Sequence, residues 1–465
     1  MPLPETLDPA PRESVLAETL RLGMPAMLGM LSQWVLNLAD IHMVGRLAHG
    51  ATAQRGAESI ANVHVGTIFI LAMLFTFGAL SIGTQAVAAR RWGERNHAAA
   101  ERAMTSGLIL AIALSAILLP VYQLIVPWIV ETFSPSGQVL DTGVVTGYLR
   151  TRFWAIPALL ALFVMRGWFN GVGSTAVVMV SALFVNALNI LLNWCWIEGH
   201  WGFARLEVEG AALASAVATW MGVVFLVVYA LTSRRCVEIG LLRRWSIDRA
   251  LLLRIARLSL PSFIHLGALH TGFLVFHGFI IPRTAEGTAA VAASGIAWNS
   301  ASLCFFVSYG FGIAAATMLG QGLGSGAIQR ARHCVWTACF LGYGGNLMLA
   351  VVYVLFGRRI AALFNADPEV IRLTFWLFVI VASFQVLDNF GIILSEAFKG
   401  AGMTLFVMLV EVPVNLMFLV IAWILGVQLD LGVIGAWMAM IVYAIVFALI
   451  MIVSFRRGLW QRARA

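Results

Sequence analysis

The sequence predicts an all-α integral membrane protein with twelve transmembrane helices in two pseudo-symmetric six-helix lobes, and three observations carry that expectation. The 465 residues are 61% hydrophobic and only 11% charged, with a mean hydropathy of +0.90. So little polar material cannot cover the surface of a soluble fold, and the solvent is therefore lipid. Short Arg, Gly and Pro clusters divide the apolar material into pieces of at least the ~20 residues that a helix needs to cross the hydrocarbon. Finally, the second half of the chain repeats motifs of the first.

Taken in order, the helical segments are expected at about 15–47, 57–89, 103–130, 139–168, 174–198 and 208–233, then at about 250–282, 288–320, 330–357, 370–397, 403–427 and 433–455. The first begins beyond an acidic tail with Glu5, Asp8 and Glu13, and the second ends at Arg91-Trp92-Gly93. Gly171-Val172-Gly173 separates the fourth from the fifth, and an Arg-rich stretch separates the sixth from the seventh. Gly320 to Gly326 closes the eighth, and Gly400-Ala401-Gly402 the tenth. The resulting organisation is a tail (1–14), an N-lobe (15–233), a linker (234–249), a C-lobe (250–455) and a C-terminal tail (456–465).

The repeat is read from matched motifs. Arg21-Leu22-Gly23-Met24-Pro25 recurs as Arg257-Leu258-Ser259-Leu260-Pro261, and Arg91-Trp92-Gly93 has its counterpart at Gly322-Leu323-Gly324. Phe169 to Thr175 matches Phe398 to Thr404, Val185-Asn186 matches Val414-Asn415, and Gly210-Ala211 matches Gly435-Ala436. The offset drifts from 236 to 225 residues, as when helices are kept and loops shorten. Six helices per half bring both halves into the membrane from the same side, so the repeat is parallel, with its axis along the membrane normal.

The net charge of +8 is not a nucleic-acid footprint, because the cations are sorted by side. Of 30 Lys and Arg, 21 fall in segments on the side of the N-terminus and nine on the other. This positive-inside bias places both termini in the cytoplasm. Arg234, Arg235, Arg243, Arg244, Arg249, Arg254 and Arg257 read as a linker on anionic lipid. The N-terminal tail lacks the basic start and cleavage site of a signal peptide. Cys195, Cys236, Cys304, Cys334 and Cys339 have no metal-ligand spacing and read as small buried hydrophobes. Gly320 to Gly326 lacks the Lys-Ser/Thr of a phosphate loop and reads as a flexible turn.

The chemistry lies in polar stripes within the apolar segments. Gln33, Asn37 and Asp40 share a face of the first segment; Asn186, Asn189 and Asn193 share one of the fifth; Gln385, Asp388 and Asn389 share one of the tenth, with Glu396 near its end. Glu411 and Asn415 lie one turn apart on the eleventh. The amides read either as interhelical hydrogen bonds or as the lining of a substrate cavity, for which the candidates are Gln33, Asn37, Asn186, Asn189, Asn193, Gln385 and Asn389. An ionised Asp at bilayer depth costs at least ~2.5–3.5 kcal/mol on insertion scales, so Asp40, Asp388 and Glu411 mark an ion or substrate path. Met30, Trp34, Phe153, Trp154, Met165, Trp298 and Phe305 read either as lipid-facing and core packing or as a greasy cavity wall. His42, His64, His265, His270 and His277 are either packed or proton relays. No defensible nucleophile, base or metal constellation points to an enzyme.

Asn37 to Leu47, Gly83 to Gly93 and Asp388 to Gly402, together with Gly210-Ala211-Ala212, resemble the signatures of the multidrug and toxic compound extrusion (MATE) family along essentially the whole chain. That resemblance implies efflux of cationic or amphipathic small molecules, driven by inward flow of protons or sodium through alternating access. It implies coupling at Asp40 and, as in the NorM branch, at Asp388. The chain departs from the pattern at Asn193, Leu269 and Phe384, where members of the family carry an Asp, a Glu and a Tyr. Sodium wants several oxygen ligands, so these losses favour the proton as coupling ion, with no further cofactor. Glu411 offers a second carboxylate in the C-lobe. A sodium-coupled exporter and a lipid-linked oligosaccharide flippase are the alternatives; a flippase should carry cations in its cavity, whereas here they gather at helix ends. The expected partners are the small-molecule substrate and membrane lipids, with the protein acting as a monomer.

Overall fold

The computed structural model describes residues 14–46, 77–133, 142–242, 245 and 247–462, with side chains of the first helix described up to Leu36. Five helices and a bent pair build the described first half. They are α1 (Val15–Arg46), α2 (Ala79–Gly93), α3 (His97–Phe133), α4 (Thr142–Phe153), α5 (Ile156–Gly171), α6 (Thr175–Glu198) and α7 (Glu207–Thr232). After the short α8 (Arg234–Glu238), the second half is α9 (Arg249–Val275), α10 (Thr288–Ser325), α11 (Ile328–Phe364), α12 (Pro368–Gly400), α13 (Thr404–Trp423) and α14 (Gly432–Arg456). Among the described residues there is no strand, and nine helices are long and apolar enough to cross a membrane, or ten if α4 and α5 form one bent span. The chain is an all-α, multi-pass membrane protein.

The fourth expected segment is not one helix. α4 and α5 meet at a 45° bend. Pro157 sits in the first turn of α5, where its missing N–H costs nothing, but its ring cannot continue a helix arriving from the N-terminal side. The eighth segment differs in the other direction. α10 continues through Gly320, Gly322 and Gly324 to Ser325, and only Gly326, with φ of +73°, ends it. The glycines expected to make a turn instead let helices touch. A Cβ on Gly320 would sit 2.8 Å from that of Ala89, and one on Gly324 would collide with the carbonyl of Arg90.

The internal repeat survives at atomic detail. After α5 and after α12 the chain turns on glycines of positive φ, Gly173 at +79° and Gly402 at +88°. Each turn is closed by the same two bonds, Ser174 N to Phe169 O (2.8 Å) with Gly173 N to Asn170 O (3.0 Å), and Met403 N to Phe398 O (2.9 Å) with Gly402 N to Lys399 O (2.9 Å). Only a residue without Cβ adopts that conformation cheaply. Gly210 lies against the carbonyl of Trp196, and its counterpart Gly435 against that of Leu425, with virtual Cβ distances of 2.7 and 2.9 Å.

Each half has its own apolar core. One gathers residues of α2 to α8 around Leu149, Leu160, Met165 and Trp168; the other gathers the C-terminal helices around Phe276, Phe378 and Trp437. The hydrogen bonds joining the halves cluster at the end of the bundle where α1 begins. Gln85 Nε2 donates to Ile313 O (3.1 Å) and Thr317 Oγ1 (3.0 Å). Thr317 Oγ1 donates to Asn170 O (2.9 Å), and Gln321 Nε2 to Gly171 O (2.8 Å). Arg330 pairs with Glu18 at 2.7 Å. Gly93 packs on the Gln321 carbonyl while Gly324 packs on that of Arg90, so the repeat-related glycines of α2 and α10 face each other across the seam.

Candidate functional site

The expected polar residues separate into amides that tie helices together and a small set of ionisable groups held apart from them. On α6, Asn186 Nδ2 donates to Ser32 Oγ of α1 and Asn189 Nδ2 to Ser215 Oγ of α7, both at 2.8 Å. Asn193 Nδ2 donates to Asn189 Oδ1 at 2.9 Å. The stripe is thus a ladder joining α1, α6 and α7. On α12, Asn389 is fully buried, accepting from Ser308 Oγ (3.1 Å) and donating to the Cys339 carbonyl (2.9 Å). Asn346 Nδ2 donates to the same Ser308 Oγ at 2.8 Å, so α10, α11 and α12 share one knot. Gly342 makes room for it, since a Cβ there would meet Asn389 Oδ1. Gln33 is exposed on α1. The side chains of Asn37 and Asp40 lie outside the described residues.

The ionisable set is in the C-lobe. His265 on α9 and Glu411 on α13 bring Nε2 and Oε2 to 2.7 Å, with the side chains only 2% and 8% exposed. This is ion-pair distance without the alignment of a good hydrogen bond, and neither atom has another partner. Asp388 of α12 lies near enough to Glu411 for the two charges to interact, and Tyr443 of α14 lies near both. Asp388 Oδ1 and Gln385 Oε1, one helical turn apart, are buried and without a partner. Asn415, a turn beyond Glu411, anchors α13 by donating to the Ala268 carbonyl of α9 at 3.2 Å. Glu396 stands aside from this cluster in a buried pair with Lys399 at 2.7 Å.

Comparison of the lobes shows which of these groups the fold requires. Asn186 binds Ser32 in the N-lobe, and its counterpart Asn415 binds Ala268, the counterpart of Ser32, in the C-lobe. That contact is architectural. The counterparts of His265 and Glu411 are Gly29 and Ala182, and there the two helices pack directly, a virtual Cβ on Gly29 lying 3.8 Å from that of Ala182. The counterparts of Asp388 and Tyr443 are Leu159 and Ala218. The N-lobe closes the same helix crossing with apolar groups, so the C-lobe charges are an addition to the fold.

Reading segments one at a time picked out Glu411 and Asp388 but left His265 ambiguous and passed over Tyr443. The pairing was visible only by laying one half on the other, where His265 and Glu411 replace Gly29 and Ala182 together. Of the candidate cavity wall, Phe153 and Met165 are N-lobe core, while Trp298 packs on Phe273 at 4.7 Å and on His277 at 5.2 Å.

A duplicated all-helical bundle with carboxylates buried in one lobe defines a membrane transporter of the twelve-helix, two-lobe type. The MatE family model matches residues 25–195 and 261–424, and the chain belongs to that family. It is 27% identical over 469 residues to the probable multidrug resistance protein NorM of Brucella suis biovar 1 (strain 1330), covering 96% of this chain and 94% of that one. It is 28% identical over 384 residues to the multidrug resistance protein MdtK of Yersinia pestis (strain Pestoides F), covering 82% and 81%. Its fold matches an outward-facing multidrug resistance MATE transporter of the MOP superfamily with a TM-score of 0.85 at 23% identity, over 97% of this chain and 98% of the other. A MOP-superfamily transporter from Pyrococcus furiosus matches with a TM-score of 0.86 at 22% identity, over 98% of both chains.

Proposed function

We propose that the protein is a secondary active exporter of cationic and amphipathic compounds in a bacterial inner membrane, working by alternating access and driven by inward proton flow. One observation carries the coupling: two buried carboxylates, Asp388 and Glu411, have one paired side chain between them, His265 at 2.7 Å from Glu411, so with both ionised the cluster keeps at least one unbalanced negative charge. An uncompensated charge in a dry interior is expensive, so such a site takes up either a proton or a cationic ligand. Mutually exclusive occupancy by the two is antiport. Asp40, a carboxylate at bilayer depth in α1, is the corresponding coupling group of the N-lobe. Like the proton, the cargo has to neutralise negative charge, which disfavours a flippase for anionic head groups.

The lobe contacts support the alternating-access reading. They gather at the end where α1 starts, the end that the Arg-rich segments place in the cytoplasm. Sealing there leaves the opposite end to open, and a rocking of parallel repeats about a midplane site would exchange the two. The other coupling ion, sodium, draws support from the unpartnered oxygens Asp388 Oδ1 and Gln385 Oε1, which are potential ligands.

The test is transport by purified protein in liposomes holding a fluorescent cationic dye. Dye movement on imposing a pH gradient, with no sodium present, is expected. Movement that demands sodium would reverse the ion assignment, and loss of movement under both gradients would remove the exporter reading.

A further inference from the structure

We infer that His265 is the built-in counter-cation of the C-lobe carboxylates: its imidazolium occupies the cation seat beside Glu411, so the site exchanges its proton with Asp388 and takes no sodium. The inference rests on the exporter reading for its purpose, but its geometry stands by itself. A carboxylate buried among helices needs a cation close by, and the cation here is covalently part of α9, with Nε2 2.7 Å from Glu411 Oε2. A metal ion drawn to the same oxygens would be repelled by the imidazolium and would have to share Glu411 with it. Protonation of Asp388 neutralises the cluster without displacing anything.

One other cation, Lys399, acts on Glu411 from a distance without pairing to it. α12 contributes Asp388 and Lys399, and the Lys399 ammonium is already held by Glu396 at 2.7 Å. α14 contributes the Tyr443 hydroxyl, and α13 contributes only Glu411 itself. His270, one turn along α9, has its Nδ1 2.9 Å from the Leu266 carbonyl. Phe77, just before α2, meets this part of α9 at Phe263, with ring centroids 5.6 Å apart, while α2 and α3 meet α9 farther down, at Leu251 and Ile255. His265 is therefore the sole cation paired to Glu411 among the described residues.

The lobe comparison shows that the pair was placed for charge. The N-lobe builds the same crossing from Gly29 and Ala182, so neither the histidine nor the glutamate is needed for packing, and their joint presence is explained only by what they do together. His265 is a specificity-determining group, since the imidazole seated beside Glu411 selects which ion can neutralise Asp388.

The experiment is thermal melting of the purified full chain in detergent, in sodium, potassium or choline chloride at equal ionic strength, a readout that needs no transport. Wild type is expected to melt alike in all three. His265→Gln removes the charge and adds an amide oxygen beside Asp388, Gln385 and Glu411, and is expected to be stabilised by sodium alone, with an apparent sodium affinity at least tenfold above wild type. The double variant His265→Gly with Glu411→Ala, which rebuilds the N-lobe contact, is expected to fold, ignore sodium and lose the C-lobe step of pH-driven dye export. Sodium-selective stabilisation of wild type would overturn the inference, as would a folded His265→Gln that ignores sodium or a double variant that exports dye at the wild-type rate. Wild-type export under a pH gradient tests the exporter reading separately.

Discussion

Lys399 holds Glu396 across one turn of α12 at 2.7 Å, each side chain 5% exposed, at the positions where the N-lobe has Asn170 and Gly167. Gly312 on α10 accommodates the larger acid, a Cβ there coming 2.8 Å from Glu396 Cγ. Breaking one side of a buried pair strands the other charge, at a cost of about 3–5 kcal/mol, whereas removing both is often neutral. Lys399→Met should therefore lower the melting temperature sharply, and adding Glu396→Gln should restore most of it. The check is a melting series on the two single variants and the double.

Asn389 and Asp388 are adjacent in sequence and opposite in predicted consequence. Asn389→Leu leaves the Cys339 carbonyl and Ser308 hydroxyl without their partner, a loss of about 1–3 kcal/mol for stranded buried polar groups. It should reduce stability while leaving the pH dependence of dye export in place. Asp388→Asn should keep the fold and abolish that dependence. Melting and pH-rate profiles on the same two preparations distinguish these outcomes.

The lobe seam makes a steric prediction. Gly324 has no room for a side chain, because even a Cβ would run into the Arg90 carbonyl of α2. Gly324→Val should part α10 from α2, open the α1 end and raise the reactivity of a single cysteine placed at Gln321, with transport reduced. Unchanged labelling beside normal transport would show that the seam does not gate access.

Most of the fold was legible because the bilayer imposes simple rules on a chain: apolar length sets the spans, and the motif repeat sets the lobes. The break between α4 and α5 was missed because Pro157 follows an apolar run that a hydropathy window reads straight through. The stretch from Gly320 to Ser325 was misread as a turn because glycine serves both turns and close helix contacts, and only the neighbouring Ala89 and Arg90 distinguish the two uses. At the site, single-helix periodicity found the carboxylates. It could not find the His265 to Glu411 contact, which spans 146 positions and depends on how α9 crosses α13.

The α1 to α6 and α9 to α13 hydrogen bonds are related by the repeat, and they should behave independently. Asn186→Ala and Asn415→Ala lie in separate lobes with no shared partner, so their stability losses, of about 1 kcal/mol each, should add in the double variant. A double variant far from the sum would show that the two contacts are energetically coupled across the lobes.

The central claim is that a proton and a cationic compound compete for the one unbalanced charge of the Asp388 and Glu411 cluster. It is tested most directly by adding a cationic dye to purified protein in weak buffer and recording the protons released per dye bound. The account predicts that wild type releases measurably more than Asp388→Asn, by up to about one proton for a single carboxylate that gives up its proton as the dye binds. Equal release from the two proteins, with dye binding intact, would contradict it.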